Sequence, residues 1–262
     1  MRKRWQLIVI LLVIAAWLGI ARGGEIPRQV PARRSTQLTD GFGMNQSLPR
    51  EPHLPWSQRW WTRLFDSGVK WVRLGQYENS SDMMSWDWVE QTPGHFATMP
   101  ELDEAVRSLT ENGVAIEIEL QYSNPLFQGE PAARPRRVIL PPAGIGQDDE
   151  PVNPIFLPPQ TEEQIEAVLR YVRFMVNHFK GQVKHWELWN EPNIGYWRPQ
   201  TRTKEELTAK ARGYGKVLCR FADAVHQTDP TAKVISAGLA GPDLLFARTA
   251  LAACPEKIDI IA

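Results

Sequence analysis

The sequence predicts an α/β protein of the (β/α)8 TIM-barrel class whose chain stops within strand six. Three observations predict it. From residue 41 onward, short β-type runs alternate with longer helical patterns, and repeated strand–helix units imply parallel strands with right-handed crossovers. No glycine-rich turn follows the first strand, which removes the best sign of an open, doubly wound nucleotide-binding sheet. Long loops follow the strands and short ones precede them, as in a barrel whose working face lies at the strand C-termini.

The elements follow in order. Residues 1–23 stand outside the pattern and read as a signal peptide or signal anchor. Arg2, Lys3 and Arg4 make a basic start, Leu7–Ala21 is an uncharged run of fifteen residues, and Ala21-Arg-Gly23 offers small residues for cleavage. That run is shorter than the ~18–20 residues that span a bilayer comfortably. The body of the protein is therefore expected outside the cytoplasm, secreted or anchored through residues 5–21. Residues 24–40 are polar, basic and aperiodic, and read as a linker. Residues 41–262 are expected to form the barrel domain, with its C-terminal part expected to be missing.

Within that domain a first strand is expected at Gly41–Asn45, then a helix over Pro55–Ser67 closed by Gly68. A second strand covers Lys70–Gln76. The helix Pro100–Asn112 sets Leu102, Ala105, Val106 and Leu109 on one face and ends at Gly113. Val114–Tyr122 is the third strand. Thr161–Lys180 is the clearest helix, with Thr161 and Gln164 as a capping box and apolar residues at helical spacing. Val183–Asn190 is the fourth strand. A second box, Thr203 and Glu206, opens the helix to Gln227. Lys233–Ala240 is the fifth strand, Pro242 takes the first position of a helix to Ala253, and Ile258–Ala262 begins a sixth strand. Two loops stand out, Tyr77–Met99 with Trp86-Asp87-Trp88, and Gln128–Gln160 with eight prolines. Patternless loops of such length are often functional.

Composition excludes some functions. Thirty basic residues balance thirty acidic ones, so no electrostatic argument points to nucleic acid as a partner. The five histidines lack metal-ligand spacing and no Cys/His cluster occurs, so neither metal nor cofactor is expected. Cys219 and Cys254 fall on different helical segments; an oxidising compartment permits a disulfide and their spacing leaves the pairing open, with two free, buried thiols the expectation. The eleven tryptophans suit either a core or a site that stacks sugar rings.

One carboxylate draws attention on chemical grounds. Glu191 ends the apolar run of the fourth strand, and Pro192 stops that strand at once. A carboxyl so placed points into a barrel mouth. Trp189, Tyr196 and Trp197 would lower the polarity around it, and desolvation favours the protonated form that a proton donor needs. Asn190 beside it can hydrogen-bond a hydroxylated ligand. Capping of the following turn is the alternative.

The run Trp186-Glu-Leu-Trp-Asn-Glu-Pro-Asn193 resembles the fourth-strand signature of clan A glycoside hydrolases, with most likeness to families 39 and 5. The resemblance implies that Glu191 is the general acid/base and that Asn190 contacts a sugar 2-hydroxyl. Val72-Arg73-Leu74 is similar to the second-strand segment whose Arg supports the catalytic carboxylates. Tyr122-Ser-Asn124-Pro resembles the third-strand exit that lines the site. Asp229-Pro230 before Lys233–Gly238 looks like the lead into strand five. The candidate substrate contacts are Arg73, Tyr122, Asn124, Trp86, Trp88, Trp189, Tyr196 and Trp197, and the expected partner is a carbohydrate. The retaining mechanism needs a second carboxyl about 5–5.5 Å from the first. The resemblance sets it at the end of strand seven, beyond this sequence. Glu117, Glu119 and Glu187 alternate with apolar residues and are expected in structural pairs, Glu119 lying nearest the strand exit. The expected activity is retaining hydrolysis of β-glycosidic bonds. A non-catalytic carbohydrate-binding protein and an inactive fragment are the competing readings.

Overall fold

The computed structural model describes residues 43–46, 55–75, 81–128 and 154–262. The expected signal segment, the linker and residues 129–153 of the proline-rich loop lie outside them. Five strands, β1 (Gly43–Gln46), β2 (Trp71–Leu74), β3 (Ala115–Leu120), β4 (His185–Leu188) and β5 (Lys233–Ile235), pair in the order of the chain. Every pairing is parallel. A doubly wound sheet reverses its strand order at a switch point. Uninterrupted sequential order is instead the winding of a β/α barrel wall, with the crossovers on one side. A parallel bridge from Ile235 to Ile260 continues the same progression.

The helices are α1 (Pro55–Asp66), the single turn α2 (Trp86–Val89), α3 (Pro100–Glu111), α4 (Glu162–His178), α5 (Lys204–Thr228) and α6 (Leu244–Leu251). Their ends follow from local chemistry. Gly68 and Gly113, at φ 75° and 71°, leave α1 and α3 in the left-handed conformation that glycine adopts without penalty. Both capping boxes form, Thr161 with Gln164 and Thr203 with Glu206. Between them α4 and α5 bury Val168, Val172, Met175, Leu218 and Phe221, each worth about 1.5–3 kcal/mol relative to exposure.

Four expectations need correction. Pro242 is not the first residue of α6. Asp243 caps that helix, its side chain accepting the Phe246 N–H at 3.0 Å, so Pro242 stands before the cap. Cys219 and Cys254 are not free thiols. They form a disulfide with Cα atoms 5.8 Å apart, because α6 folds back along α5, a tertiary approach that spacing does not reveal. The Tyr77–Met99 loop is not structureless, holding a 3-10 turn at Ser81–Met84 and then α2. Strand β5 is shorter than expected, since residues 238 and 240 turn their backbone groups to the exit of β4 instead of the ladder. Among the described residues no helix is long and apolar enough to cross a membrane.

Candidate functional site

Alternation along the strands gives the sheet two chemically different faces. Val72, Leu74, Ile116, Ile118, Leu120, Trp186, Leu188 and Val234 are buried and meet the apolar core. Trp71, Arg73, Glu117, Glu119, His185 and Glu187 occupy the opposite face, joined by the pairings Arg73–Glu117, Glu117–His185 and Glu119–Glu187. That inner face carries one guanidinium and three carboxyls.

Arg73 is the hub. Its Nε lies 2.6 Å from Glu187 Oε2 and 3.4 Å from Glu117 Oε1, and its Nη2 lies 3.0 Å from Glu119 Oε2. One cation cannot neutralise three buried carboxylates, and burying an unpaired charge is costly. Burial, with the Glu187 carboxyl alongside, therefore pushes Glu117 up to about 8 against the pull of Arg73. Burial likewise holds Glu119 far above the usual carboxylate range. Gly75 makes room for this packing, since a Cβ there would fall 2.3 Å from Glu119 Cβ.

The exit of β4 lies beside this cluster. Arg73 Nη2 donates to Asn190 Oδ1 at 3.4 Å. The Glu191 N–H donates to the Gly238 carbonyl at 3.0 Å, and the Gly238 N–H donates to Glu187 Oε1 at 2.7 Å. Trp189 and Glu191 have φ of 70° and 43°. A non-glycine residue in this region costs about 1–3 kcal/mol and persists only where its surroundings over-determine it, commonly at functional sites. Glu191 is half-buried. Its carboxylate makes no hydrogen bond or ion pair with a described residue, and its charge acts on Tyr196 and Glu119. Burial, then Glu191, raises the Tyr196 phenol.

The structure does not bring all the expected sugar contacts to a surface. Trp86 is fully buried, its ring stacked 5.0 Å from Phe127 and 6.1 Å from Tyr171, and its Nε1 donates to Glu90 at 2.5 Å. It is a core residue, because the single turn α2 rotates it inward. Asn124 is equally committed. Its amide donates to the Glu90 carbonyl at 2.7 Å and its Oδ1 accepts the Leu126 N–H at 3.0 Å, so it fastens the β3 exit to α2. Tyr122, Trp189 and Trp197 are buried as well. Tyr122 meets Trp189 edge-on at 5.2 Å, Trp189 meets Trp197 at 4.8 Å, and Trp189 Nε1 donates to the Tyr196 carbonyl at 2.6 Å. They form one aromatic cluster at the β4 exit. Trp88 and Tyr196 remain half-exposed.

Asn193 is a residue that the sequence reading passed over. Its side chain accepts the Ala240 N–H at 3.0 Å and donates to the Ala240 carbonyl at 3.1 Å, locking the β4 exit to the β5 exit. The available signal was the second Asn of the Asn-Glu-Pro-Asn run. A carboxamide can imitate a backbone donor–acceptor pair, and its position just after the strand end suits such a clamp.

The sequence matches no protein-family model and no curated protein. The fold is similar to solved glycoside hydrolases. A family 39 glycoside hydrolase from Bacteroides cellulosilyticus WH2 aligns with TM-score 0.49 and 20% identity over 75% of this chain and 31% of that one. Xylanase XynB from Paenibacillus barcinonensis aligns with TM-score 0.43 and 10% identity over 76% and 53%. The family 1 β-glucosidase from Thermotoga maritima aligns with TM-score 0.41 and 15% identity over 64% and 33%. The chain thus spans about a third to a half of their lengths.

Proposed function

We propose that the protein is a retaining O-glycosidase acting on β-linked oligo- or polysaccharides, with Glu191 as general acid/base. One observation carries the reading. Of the four carboxyls on or beside the inner face, Glu191 alone makes no hydrogen bond or ion pair with a described residue, and its backbone is held at positive φ beside the Trp189–Tyr196 bond. A proton donor must be held yet free to meet its substrate. Glu191 would protonate the leaving oxygen and then deprotonate the incoming water, while Asn190, steadied by Arg73, would bind the sugar 2-hydroxyl.

The partner carboxylate must attack the anomeric carbon in its ionised form. Glu117 and Glu119 are disfavoured for that task by their raised pKa values, and both oxygens of Glu187 already accept hydrogen bonds. No nucleophile is assigned to a residue of this sequence. The test is a leaving-group series of aryl β-glycosides with wild type and Glu191→Gln. Loss of general acid catalysis lowers turnover about 10²–10⁴-fold for poor leaving groups and far less for good ones. Unchanged turnover of poor leaving groups refutes the assignment.

The engagement of Glu117, Glu119 and Glu187 with Arg73 favours one other reading, a carbohydrate-binding protein without hydrolysis. Sugar binding by calorimetry with no aglycone release identifies it. We also propose export through residues 1–23. The Cys219–Cys254 disulfide supports this, since disulfides persist in oxidising compartments. N-terminal sequencing of protein from the extracytoplasmic fraction tests it.

A further inference from the structure

We propose that Glu187 is a positioning residue whose single carboxylate sets both the Asn190 side chain and the Glu191 backbone. The inference rests on the reading of Glu191 as acid/base. Glu187 is fully buried and touches no surface from which substrate could approach, so it can act only through its neighbours. Each of its oxygens serves a different one.

The first arm runs through Arg73. Glu187 Oε2 accepts from Arg73 Nε at 2.6 Å, and Arg73 Nη2 donates to Asn190 Oδ1 at 3.4 Å. The second arm runs through Gly238. Glu187 Oε1 accepts the Gly238 N–H at 2.7 Å, and the Gly238 carbonyl accepts the Glu191 N–H at 3.0 Å. The clamp between Asn193 and Ala240 closes the same two segments two residues further on. A β5 exit fastened from β4 on both sides of Glu191 is what holds that residue at φ 43°.

The chemistry of the two arms selects a carboxylate. Both neighbours present N–H donors, so the residue between them must accept on both sides. A glutamine has one acceptor and one NH2 group, and must therefore set a donor against either Arg73 or Gly238. Glu187→Gln is close to isosteric and yet breaks one arm.

The test combines two readouts on the purified protein. Amide hydrogen exchange by NMR is compared at Glu191 and at α4 core residues such as Val172 and Met175. Steady-state kinetics are measured on an aryl β-glycoside. In Glu187→Gln, exchange at Glu191 is expected to rise at least about ten-fold with the α4 amides unchanged. kcat is expected to fall about 10²-fold with KM within two-fold, the scale of an ångström-sized misplacement. A purely structural role would raise exchange at all of these amides together, and that result, or an unchanged Glu191 amide, overturns the proposal. Arg73→Lys separates the arms should Glu187→Gln not fold. Of the two arms it removes only the one through Asn190, together with the Nη2 contact to Glu119, so the Asn190 side-chain amide resonances shift while Glu191 keeps its protection. Loss of protection at Glu191 in that variant also overturns the two-arm arrangement. If wild type cleaves no glycoside, the functional reading fails and the exchange measurements still decide the positioning role.

Discussion

Gly213 and Gly215 stand two residues apart in the interior of α5, and replacing each by alanine should move stability in opposite directions. Alanine lowers the backbone-entropy cost of a helical position by about 0.5–1 kcal/mol relative to glycine, and this gain is common to both sites. The surroundings differ. A Cβ at 213 meets nothing within 4 Å, whereas one at 215 falls 2.4 Å from the Ala250 carbonyl oxygen and 3.1 Å from its carbonyl carbon. Those atoms are helix backbone, so α6 itself must retreat until the separation passes 3.0 Å. The Cys219–Cys254 disulfide and the contact of Phe246 with Tyr214, centroids 5.7 Å apart, oppose that retreat. Overpacking typically costs about 1–3 kcal/mol, which leaves Gly215→Ala less stable by about 1–2 kcal/mol. At about 2–4 °C per kcal/mol for a protein of this size, calorimetry should show Tm lower by about 2–8 °C. Gly213→Ala should gain about 1–4 °C. A Gly215→Ala protein as stable as wild type would refute the close helix approach.

Further outcomes follow from the buried groups. Burial raises the Glu117 carboxyl to about 8 in the folded protein, against an ordinary value of 4.5 for an exposed glutamate. Its contribution is thus fully present below about pH 4.5 and lost as pH rises through 8. Melting curves between pH 4.5 and 8.5 should show wild type losing stability relative to Glu117→Gln, and parallel curves would contradict the raised pKa. Trp86→Phe keeps a ring between Phe127 and Tyr171 but takes from the buried Glu90 the donor to its Oε2, leaving only the Gly94 N–H on Oε1. A loss of about 1–3 kcal/mol is expected in urea unfolding. Reducing the Cys219–Cys254 bond, with a sequence separation of 35, should lower stability by about 3–4 kcal/mol on the chain-entropy model, read as a fall in Tm under reductant.

What the sequence disclosed follows from the length over which each signal acts. α4 and α5 could be placed from apolar spacing over several turns, and their starts from boxes that span four residues, Thr161 to Gln164 and Thr203 to Glu206. The Ile-Glu-Ile-Glu-Leu alternation of β3 announced a sheet with one polar face, and Glu117 and Glu119 do meet Arg73 there. Trp86 illustrates the limit. α2 is four residues long, too short for a period to reveal which face is buried, and Phe127 and Tyr171 reach its ring from distant positions. The disulfide and the Asn193 clamp are also contacts between separate loops or helices, decided by how the units pack. At the β4 exit the eight-residue run draws attention to Asn190 and Glu191, whereas the partners at Gly238 and Ala240 follow from the pairing of β4 with β5.

The inner face poses an energetic question that the positions of its bonds help to answer. Replacing a buried ion pair by well-packed apolar residues is often neutral or stabilising, so Arg73 with three carboxyls is not the arrangement that stability alone would select. An apolar set would fill the same interior layer, yet it could not act beyond the layer. The charged set does. Arg73 reaches out of β2 to Asn190, and Glu187 reaches out of β4 to Gly238, whose carbonyl takes the Glu191 N–H. The polar bonds thus leave the strand layer at the point where two non-glycine residues hold positive φ. Strain of that kind decays to an ordinary turn unless several independent bonds oppose it. The charged layer supplies them, and its cost in stability falls beside the one carboxylate of the cluster that the described residues leave uncommitted.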